Sequence, residues 1–591
     1  MRRLAAWLAG PRGPWALVLI GLALGAPALR LGLGADNFVH RVRLAKLPLV
    51  VPVRGSVLLD LFELIPASDG LRAAMREAGL LPWWTHPQAR GGFPRPLSAA
   101  THVLDYWLWP DDLVLQHLHS LLWYAAAILA AILLYRQLLR APATAALAAL
   151  LFAVADAHAL PAAWLANRNS LVAFVLGALA IAAHVRWRRG PARGAGAPAF
   201  ALAAFAAALL AAEAALASLG YIVAYELFLA HGPRARRALV LAPYLVFVVA
   251  WQVGYRALGY GVAGMGLYQD PVTDPLGFAA ALAERLPLLL LALWARVSGE
   301  IWVFVSRPLQ LGGLALALVV VVLLALLLRR PLREDALARF WAAGLLLSLV
   351  PACAVFPMDR LLVFAGLGAF GLLAGQAARL GWIGPRPAPA PPPARAARAG
   401  MGVLLAIHLV VAPVVFPLRI AGWRWFLRRL DRAEHALPDD AALTRQSVVW
   451  LNGMDLSNVA MVMSRHVRGA PLPRASHVLT SFFTPALVSR PDAHSLVIRP
   501  EGGFLARPMD RLMRAAAPPF RAGERVTTRD YEATVEAVTA DGRPAQVVFR
   551  FRTPLEDPSL RWLYLSDGVV PHAFRLPRVG ETVSLHAGWL W

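Results

Sequence analysis

Long uninterrupted apolar runs constrain the fold of this chain more than any other feature. The run GGLALALVVVVLLALLL, residues 312–328, contains no charged or hydrogen-bonding side chain. A helix needs about 20 apolar residues to cross the ~30 Å hydrocarbon layer of a membrane, and comparable runs recur along the chain. Only 16% of the residues are charged, against about 25% in soluble domains. The sequence therefore predicts an α-helical polytopic membrane protein.

About eleven runs are long enough to be crossings. They lie near residues 14–33, 113–138, 143–162, 170–187, 197–213, 214–231, 237–258, 308–328, 336–356, 361–380 and 401–417. Residues 277–305 are also apolar, but four charged residues interrupt them: Glu284, Arg285, Arg296 and Glu300. Because charge inside hydrocarbon is costly, this segment predicts an interfacial or re-entrant helix rather than a complete crossing.

Clusters of arginine separate alternate apolar runs. Arginine and lysine accumulate in the cytoplasmic loops of membrane proteins. With eleven crossings, every cluster falls on the cytoplasmic side, and so does the N-terminus. The clusters are Arg2-Arg3, Arg136 to Arg140, Arg186 to Arg193, Arg234 to Arg237, Arg329 to Arg333 and the Pro- and Ala-rich linker 384–400.

The formal charge of +23 is spread between the apolar runs and is not gathered on one domain. Such a distribution orients a protein in a membrane and does not indicate a nucleic-acid partner. Lys46 is the only lysine, and the chain is rich in Ala, Pro and Leu, a composition typical of GC-rich bacterial genomes. We therefore expect a multi-pass protein of the bacterial inner membrane, in contact with membrane lipids.

The chain divides into a transmembrane domain, residues 1–417, and a soluble extracytoplasmic domain, residues 418–591. Loops 34–112 and 259–307 of the first domain lie on the outer side in this topology. Beyond an Arg-rich amphipathic helix (418–436), segments such as SVVWLNG, SLVIRP and YEATVEAV alternate apolar and polar residues, as strands do. Asp541-Gly542 marks a hairpin turn. The second domain is therefore predicted to be mostly β, with some helix.

Ionisable residues at the outer edge of the membrane are the candidates for function, because no Walker loop, zinc-ligand spacing or Ser-His-Asp motif is present. Asp36 directly follows the first crossing. It is either a solvated acid at the surface, or a carboxylate that accepts a proton from an acceptor hydroxyl or holds a divalent cation. Arg95 lies between two prolines, which confine its backbone and suit a positioned guanidinium. Asp105 and His117 follow in the same stretch.

Arg168 and Arg360 also fall on the outer side, against the usual distribution of positive charge. Each is either half of a structural ion pair, with Asp359 adjacent to the second, or part of a site for an anion. Several outward arginines around one cavity suit a lipid phosphate. Glu213 lies at the outer bend between two predicted crossings, where a lone acid needs a partner or water.

Several of these stretches together resemble a known family. FPRPLSAATHVLDYWLW, LLFAVADAHALPAAWLANRNSL, AAEAAL and FPMDRLLVFAGLGAF are similar, in this order, to motifs of the tetratricopeptide-bearing O-mannosyltransferases and their bacterial relatives. These belong to the GT-C glycosyltransferases, and the resemblance covers roughly residues 14–380. The chain departs from the pattern at Asn37, Ala212 and Asp359, where many relatives carry an acid, a lysine and a glutamate. It also lacks the repeats.

The resemblance implies transfer of a sugar from a polyprenyl-phosphate carrier to a glycan, lipid or protein acceptor on the outer face, with inversion. It implies Asp36 as the base and Asp105 as a second acid. Outer residues would bind the substrate and its phosphate; the candidates are Arg95, Arg168, Arg360, Glu213 and His117. A divalent cation is left open as a cofactor.

The alternative is a non-catalytic membrane scaffold or a transporter, with an outer domain that binds a partner. A transporter favours polar groups at the middle of the membrane and repeated halves. Here the polar groups gather at one face and no repeated halves are visible. This favours the enzyme over the transporter and leaves the scaffold open.

Overall fold

A computed structural model describes residues 2–47, 55–190, 196–383 and 395–589. It contains a helical bundle followed by a β-rich domain. The helices up to the second domain are α1 Arg2–Leu8, α2 Gly13–Gly25, α3 Asp36–Leu44, α4 Val57–Asp60, α5 Asp69–Glu77, α6 Pro96–Leu108, α7 Leu113–Leu138, α8 Pro142–Ala153, α9 Ala159–Ala163, α10 Arg168–Arg189, α11 Gly196–Ala211, α12 Leu216–Phe228, α13 Arg234–Ala257, α14 Pro275–Ala295, α15 Arg307–Glu334, α16 Ala336–Ala352, α17 Val363–Arg379, α18 Arg395–Ala406 and α19 Ala412–His435.

Eight described helices are long and apolar enough to cross a membrane, or nine if the bent pair α8–α9 forms one span. Seven of the predicted crossings fall on these long helices and one falls on the bent pair. The other three correspond to the shorter helices α11, α12 and α16. The predicted count of about eleven therefore exceeds the eight or nine long helices of the structure. The difference arises because the apolar runs continue through the turns that end these short helices. The polytopic helical fold is confirmed.

Helix α14 is the eighth long apolar helix, although the sequence predicts that it does not cross the membrane. Residues before α14, within it and after it all contact one segment, residues 353–359. Gln269 N donates to Ala354 O at 2.8 Å and Arg285 Nη1 to Cys353 O at 3.0 Å. Gly299 N donates to the Asp359 carboxylate at 2.9 Å. The chain therefore enters and leaves α14 at the same end of the bundle, which agrees with the predicted interfacial or re-entrant helix.

The arginine clusters meet at the opposite end of the bundle. Arg188 pairs with Glu226 at 2.6 Å, and Arg237 donates to Glu226 O at 2.8 Å. Arg330 and Arg379 both pair with Glu334. The Arg339 guanidinium lies 5.8 Å from the centre of the Phe228 ring and so connects the two groups. The predicted clusters around Arg188, Arg237 and Arg330 therefore lie on one side.

The last helix of the bundle is longer than predicted. The sequence suggests a crossing at 401–417 and a separate amphipathic helix at 418–436. In the structure, α18 and α19 are joined by a π-helical turn, Ile407–Val411, and residues Arg395–Arg432 form one helical unit of 38 residues. Of the predicted linker 384–400, residues 384–394 lie outside the described residues and 395–400 begin α18. The apolar crossing and the polar helix are one element because no helix-breaking loop separates them.

The second domain contains helix α20 (Asp455–Val467) and two sheets. Strands β1 to β3 instead form a small sheet from the two long loops of the bundle. The strands are β1 Glu63–Ile65, β2 Arg90–Gly92, β3 Gly261–Ala263, β4 Ser447–Gly453, β5 Ala475–Ser481, β6 Ala486–Ser489, β7 Ser495–Pro500, β8 Arg525–Thr527, β9 Tyr531–Val538, β10 Pro544–Phe551, β11 Leu560–Ser566, β12 Val570–Ala573 and β13 Thr582–Leu585.

The larger sheet of this domain has the order β13-β6-β7-β10-β9-β8 and is antiparallel. The smaller has the order β12-β11-β4-β5, in which β4 lies parallel to both neighbours. Helix α20 makes the crossover from β4 to β5, which a parallel connection requires. Gly542, with φ of +75°, allows the tight turn between β9 and β10. The mostly β domain and its hairpin are confirmed.

Loop 34–112 packs into the core of the second domain. The Trp83 side chain is 1% exposed, and its Nε1 donates to Leu479 O at 3.1 Å. The Asn458 amide donates to Gly79 O at 2.8 Å, and Ser476 N donates to Ala78 O at 3.0 Å. The second domain therefore covers one end of the helix bundle, which we call the domain end.

Candidate functional site

A cavity of about 870 Å³ lies at the domain end, between the bundle and the second domain. Its walls come from α3, the two long loops, the turn before α17, α19 and α20. Six of the ten methionines of the chain line it, together with several large aromatic side chains. Methionine is flexible and polarizable, so such a wall adapts to an irregular apolar ligand. The charged side chains that line the cavity are Asp36, Arg43, Glu63, Glu300, Arg360 and Arg419.

Asp36 begins α3, and its carboxylate faces this cavity. No hydrogen bond or ion pair to its side chain is found within the described parts of the chain. Burial raises the pKa of Asp36 above its usual value, while the Arg360 and Arg95 guanidiniums oppose the shift. The preceding residue, Ala35, has φ of +49°, which is strained for a residue with a side chain. Such strain is typical of positions at which the fold holds a functional group in place.

Arg360 extends from the turn Asp359–Leu362 into the same cavity. Its guanidinium carbon lies 5.0 Å from the centre of the Trp164 ring, and its Nη1 lies 3.4 Å from Asn167 Oδ1. Among the described residues, no carboxylate lies within 4 Å of it. The neighbouring Asp359 carboxylate pairs with Arg419 instead. Arg360 therefore presents a charge that no described carboxylate neutralises by direct contact, in the same cavity as the Asp36 carboxylate.

Arg95 and Glu213 form an ion pair at 2.7 Å. Pro96 opens α6 and places Arg95 at its start, where the guanidinium lies 4.7 Å from the centre of the Phe93 ring. Neither member of the pair lines the cavity, but both act on Tyr268, which does. Burial raises the pKa of the Tyr268 phenol, Arg360 and Arg95 lower it, and Asp36 and Glu213 raise it. The structure thus brings four predicted residues together around Tyr268.

Asp105 and Arg168 are placed elsewhere. They pair with each other at 2.6 Å, and the Arg168 side chain is fully buried. Arg168 Nε donates to Ser120 Oγ and Nη2 also donates to Gln116 O, both at 2.8 Å. His117 is buried in α7. None of the three lines the cavity, so the structure does not bring them to Asp36, and Arg168 takes the structural role that the sequence left open.

Arg419, Tyr268 and Arg43 were not singled out from the sequence, although all three line the cavity. Arg43 lies two helical turns after Asp36 on the same face of α3. A signal for Arg419 was present: it is the first charge after the apolar run 401–417, with one residue between them. We interpreted it as the start of a separate amphipathic helix. In the continuous helix it lies at the domain end of a crossing.

The divalent cation that the resemblance leaves open requires several carboxylate or imidazole ligands at one point. Within the described ranges, the one group of three such side chains is Asp431, Glu434 and His435, near the end of α19 and outside the cavity wall. Glu434 already pairs with Arg468. No such group forms around Asp36 in those ranges, so the residues there do not fit a cation cage.

Comparison with known proteins gives low similarities. No family model matches the chain, and no curated protein matches it. The crystal structure of ArnT from Cupriavidus metallidurans, bound to undecaprenyl phosphate, aligns with a TM-score of 0.39 at 15% identity, over 91% of this chain and 98% of that one.

The archaeal oligosaccharyltransferase AglB from Archaeoglobus fulgidus, in complex with an inhibitory peptide and a dolichol-phosphate, aligns with a TM-score of 0.42 at 13% identity. The alignment covers 78% of this chain and 64% of that enzyme, so the chain spans less than two thirds of its length. With TM-scores below 0.5, these likenesses carry no argument about what this chain does.

Proposed function

We propose that this protein is an inverting membrane glycosyltransferase, which moves a sugar from a polyprenyl-phosphate carrier to an acceptor in the cavity at the domain end. One observation carries the proposal: the Asp36 carboxylate and the Arg360 guanidinium face the same cavity, and neither has an ion pair within the described part of the chain. Such a transfer needs a base and an anion-binding group whose charges are not already neutralised by other residues.

The reaction is a single displacement at the anomeric carbon. The acceptor hydroxyl oxygen attacks from the face opposite the carrier phosphate, and Asp36 accepts the hydroxyl proton. The bond between the anomeric carbon and the phosphate oxygen breaks, and the carrier leaves as the lipid phosphate. Negative charge develops on that phosphate, where Arg360 stabilises it. Arg95 contributes less, because it is paired with Glu213. Attack from the opposite face inverts the configuration.

The raised pKa of Asp36 suits its role as base. A base works best when its pKa lies closer to the working pH, provided that enough of it remains ionised. Burial of Asp36 shifts its pKa in that direction, and the two arginines keep the shift in check. The wall of the cavity is mostly apolar, and charges beside apolar protein are screened less than charges in open solvent.

The arginine clusters support an orientation as well. They lie at the end of the bundle opposite the cavity, and such clusters favour the cytoplasmic side. The cavity and the second domain would then lie on the outer face of the bacterial inner membrane. The donor would be a polyprenyl-phosphate-linked sugar, and the acceptor a glycan, a lipid or a protein.

The proposal is tested by sugar transfer in proteoliposomes with a panel of radiolabelled polyprenyl-phosphate sugars. We expect Asp36→Asn and Arg360→Ala to lower the transfer rate by about 100-fold or more, since each removes a group that acts on the transition state. Matched controls are Asp69→Asn and Arg330→Ala, whose side chains are 94% and 55% exposed. The controls should keep the wild-type rate.

Equal transfer by all four variants would show that the site is assigned to the wrong residues. Absence of transfer by the wild-type protein with every donor would favour the non-catalytic scaffold. A labelled photoreactive polyprenyl phosphate separates the two steps, because Arg360→Ala should weaken its crosslinking and Asp36→Asn should not.

A further inference from the structure

Three acidic side chains from distant parts of the chain converge beside the cavity. Asp156 lies in the break between α8 and α9, Glu300 in the turn after α14, and Asp359 in the turn before α17. Asp156 and Asp359 are almost completely buried, and Glu300 lines the cavity. Glu300 Oε1 accepts a hydrogen bond from Asp359 N at 2.9 Å. Like charges this close destabilise the fold unless a cation lies among them.

Two arginines supply that positive charge. Arg419 Nε donates to Asp156 Oδ2 at 2.9 Å, its Nη2 pairs with Asp359, and its Nη1 lies 4.0 Å from Glu300 Oε2. Arg296 Nη1 pairs with the other oxygen of Asp156 at 2.8 Å. Each of the three nitrogens of the Arg419 guanidinium therefore points to a different carboxylate. A planar, permanently charged group is suited to such an arrangement, and a lysine ammonium is not.

The arrangement also bears on the reaction site. Arg419 and Glu300 line the same cavity as Asp36, and Asp359 directly precedes Arg360 in the chain. Arg419 thus holds the turn that carries Arg360 against the last helix of the bundle. A divalent cation would require these carboxylate oxygens as its ligands, but the guanidinium nitrogens already occupy the space among them.

We propose that Arg419, together with Arg296, is the resident cation of this site, and that the protein works without a divalent cation. Arg419 is a positioning residue: it neutralises Asp156, Asp359 and Glu300 and thereby fixes the Asp359–Leu362 turn. Measurements of stability, of metal dependence and of sugar transfer test this proposal. Only the transfer measurements rest on the proposed function, because the stability measurements need no substrate.

The stability arm measures thermal unfolding of the full chain in detergent. Arg419→Ala should lower the unfolding temperature by several degrees, because it leaves buried carboxylates without their partner. Methylguanidinium should restore part of the loss, while Mg²⁺ and Mn²⁺ should not. Arg428→Ala is the matched control, since Arg428 is an exposed arginine on the same helix. It should behave as the wild type does, with and without each additive.

The metal arm uses a protein that keeps Arg419, so its result does not depend on whether Arg419→Ala folds. A chelator should change neither its unfolding temperature nor its transfer rate. All proteins in this arm carry Asp431→Asn, which removes the exposed acid group near the end of α19. Stabilisation by Mn²⁺ that Asp156→Asn abolishes would overturn the proposal. So would an Arg419→Ala protein that is rescued by Mn²⁺ or that matches Arg428→Ala.

In the activity arm, Arg419→Ala should lower transfer by about 100-fold, and methylguanidinium should recover part of it. Recovery by a divalent cation instead of methylguanidinium would contradict the assignment. If no donor supports transfer by the wild type, the proposed function fails, while the stability and metal arms still decide the role of Arg419.

Discussion

The Asp36 carboxylate lowers the stability of the folded protein. The Asp36 side chain is partly buried at the wall of the cavity, and no described residue donates a hydrogen bond to it. A charged group in this position loses its hydration, and the arginines nearby compensate only in part. Residues of this kind are retained for function, and the strained Ala35 beside Asp36 agrees with that interpretation.

Because the ionised carboxylate is unfavourable in this position, we expect Asp36→Asn to stabilise the protein at neutral pH. Because the folded-state pKa of Asp36 is raised, the unfolded chain loses this proton first as the pH rises through 3.8, and stability falls. Asparagine does not titrate, so its unfolding temperature should exceed that of the wild type at pH 7 and match it at pH 3.5. Thermal unfolding at both values, with Asp69→Asn as control, measures this. A lower unfolding temperature for Asp36→Asn at pH 7 would mean that the carboxylate stabilises the fold.

At the scale of the element, α14 shows that length and hydropathy do not decide whether a helix crosses the membrane. The helix has 21 residues and is apolar enough to cross. Arg285, near its middle, nevertheless bonds to the end of α16, and the chain returns to the turn before α17. Protein partners satisfy both of its charged groups, Arg285 through Cys353 O and Glu284 through Arg307, which hydrocarbon would not do.

The re-entrant course of α14 predicts which side its flanks face. In a Cys353→Ala background, Val272→Cys and Ser306→Cys should both react with a membrane-impermeant maleimide from the side of the second domain. Arg140→Cys, at the arginine-rich end, should react only from the other side. Labelling of intact cells or of inside-out vesicles, read as a mass shift, measures the three positions. Opposite labelling of Val272→Cys and Ser306→Cys would show that α14 crosses the membrane.

On the scale of the whole molecule, the second domain and loop 34–112 share one hydrophobic core. Val42, Leu80, Trp83 and Trp84 of the loop lie in the same buried cluster as the strands of the domain. The domain also forms a wall of the cavity through α20 and residues 509–513. The site is therefore complete only when bundle, loop and domain are together.

The shared core predicts a long-range effect of Trp83→Ala. Truncation of a buried tryptophan costs about 3–5 kcal/mol, and here the loss falls on the contact between the loop and the domain. We expect a lower unfolding temperature and faster proteolysis within residues 55–112. Trp107→Ala is the control, because that side chain is 76% exposed and should leave both measurements unchanged. Equal proteolysis of the two variants would indicate that the loop holds its structure without the domain.

Part of the site was predictable and part was not. Asp36 and Arg360 stand out in the sequence because charge at the edge of an apolar run is costly, and both line the cavity. Glu213 was expected to need a partner, but only the fold shows that the partner is Arg95, 118 residues away. Arg168 looked equally suited to a phosphate, yet the fold pairs it with Asp105.

The sequence by itself determined the properties that add up along the chain. These are the apolar helices, the end of the bundle at which the arginines gather, and the strands of the second domain, each of which follows from local composition or periodicity. The tertiary structure alone decided which charges pair and which stay unpaired, and that Arg419 lies among three carboxylates. The physical reason is that an ion pair depends on distances of a few ångströms between residues that lie far apart in the chain, and no local pattern contains those distances.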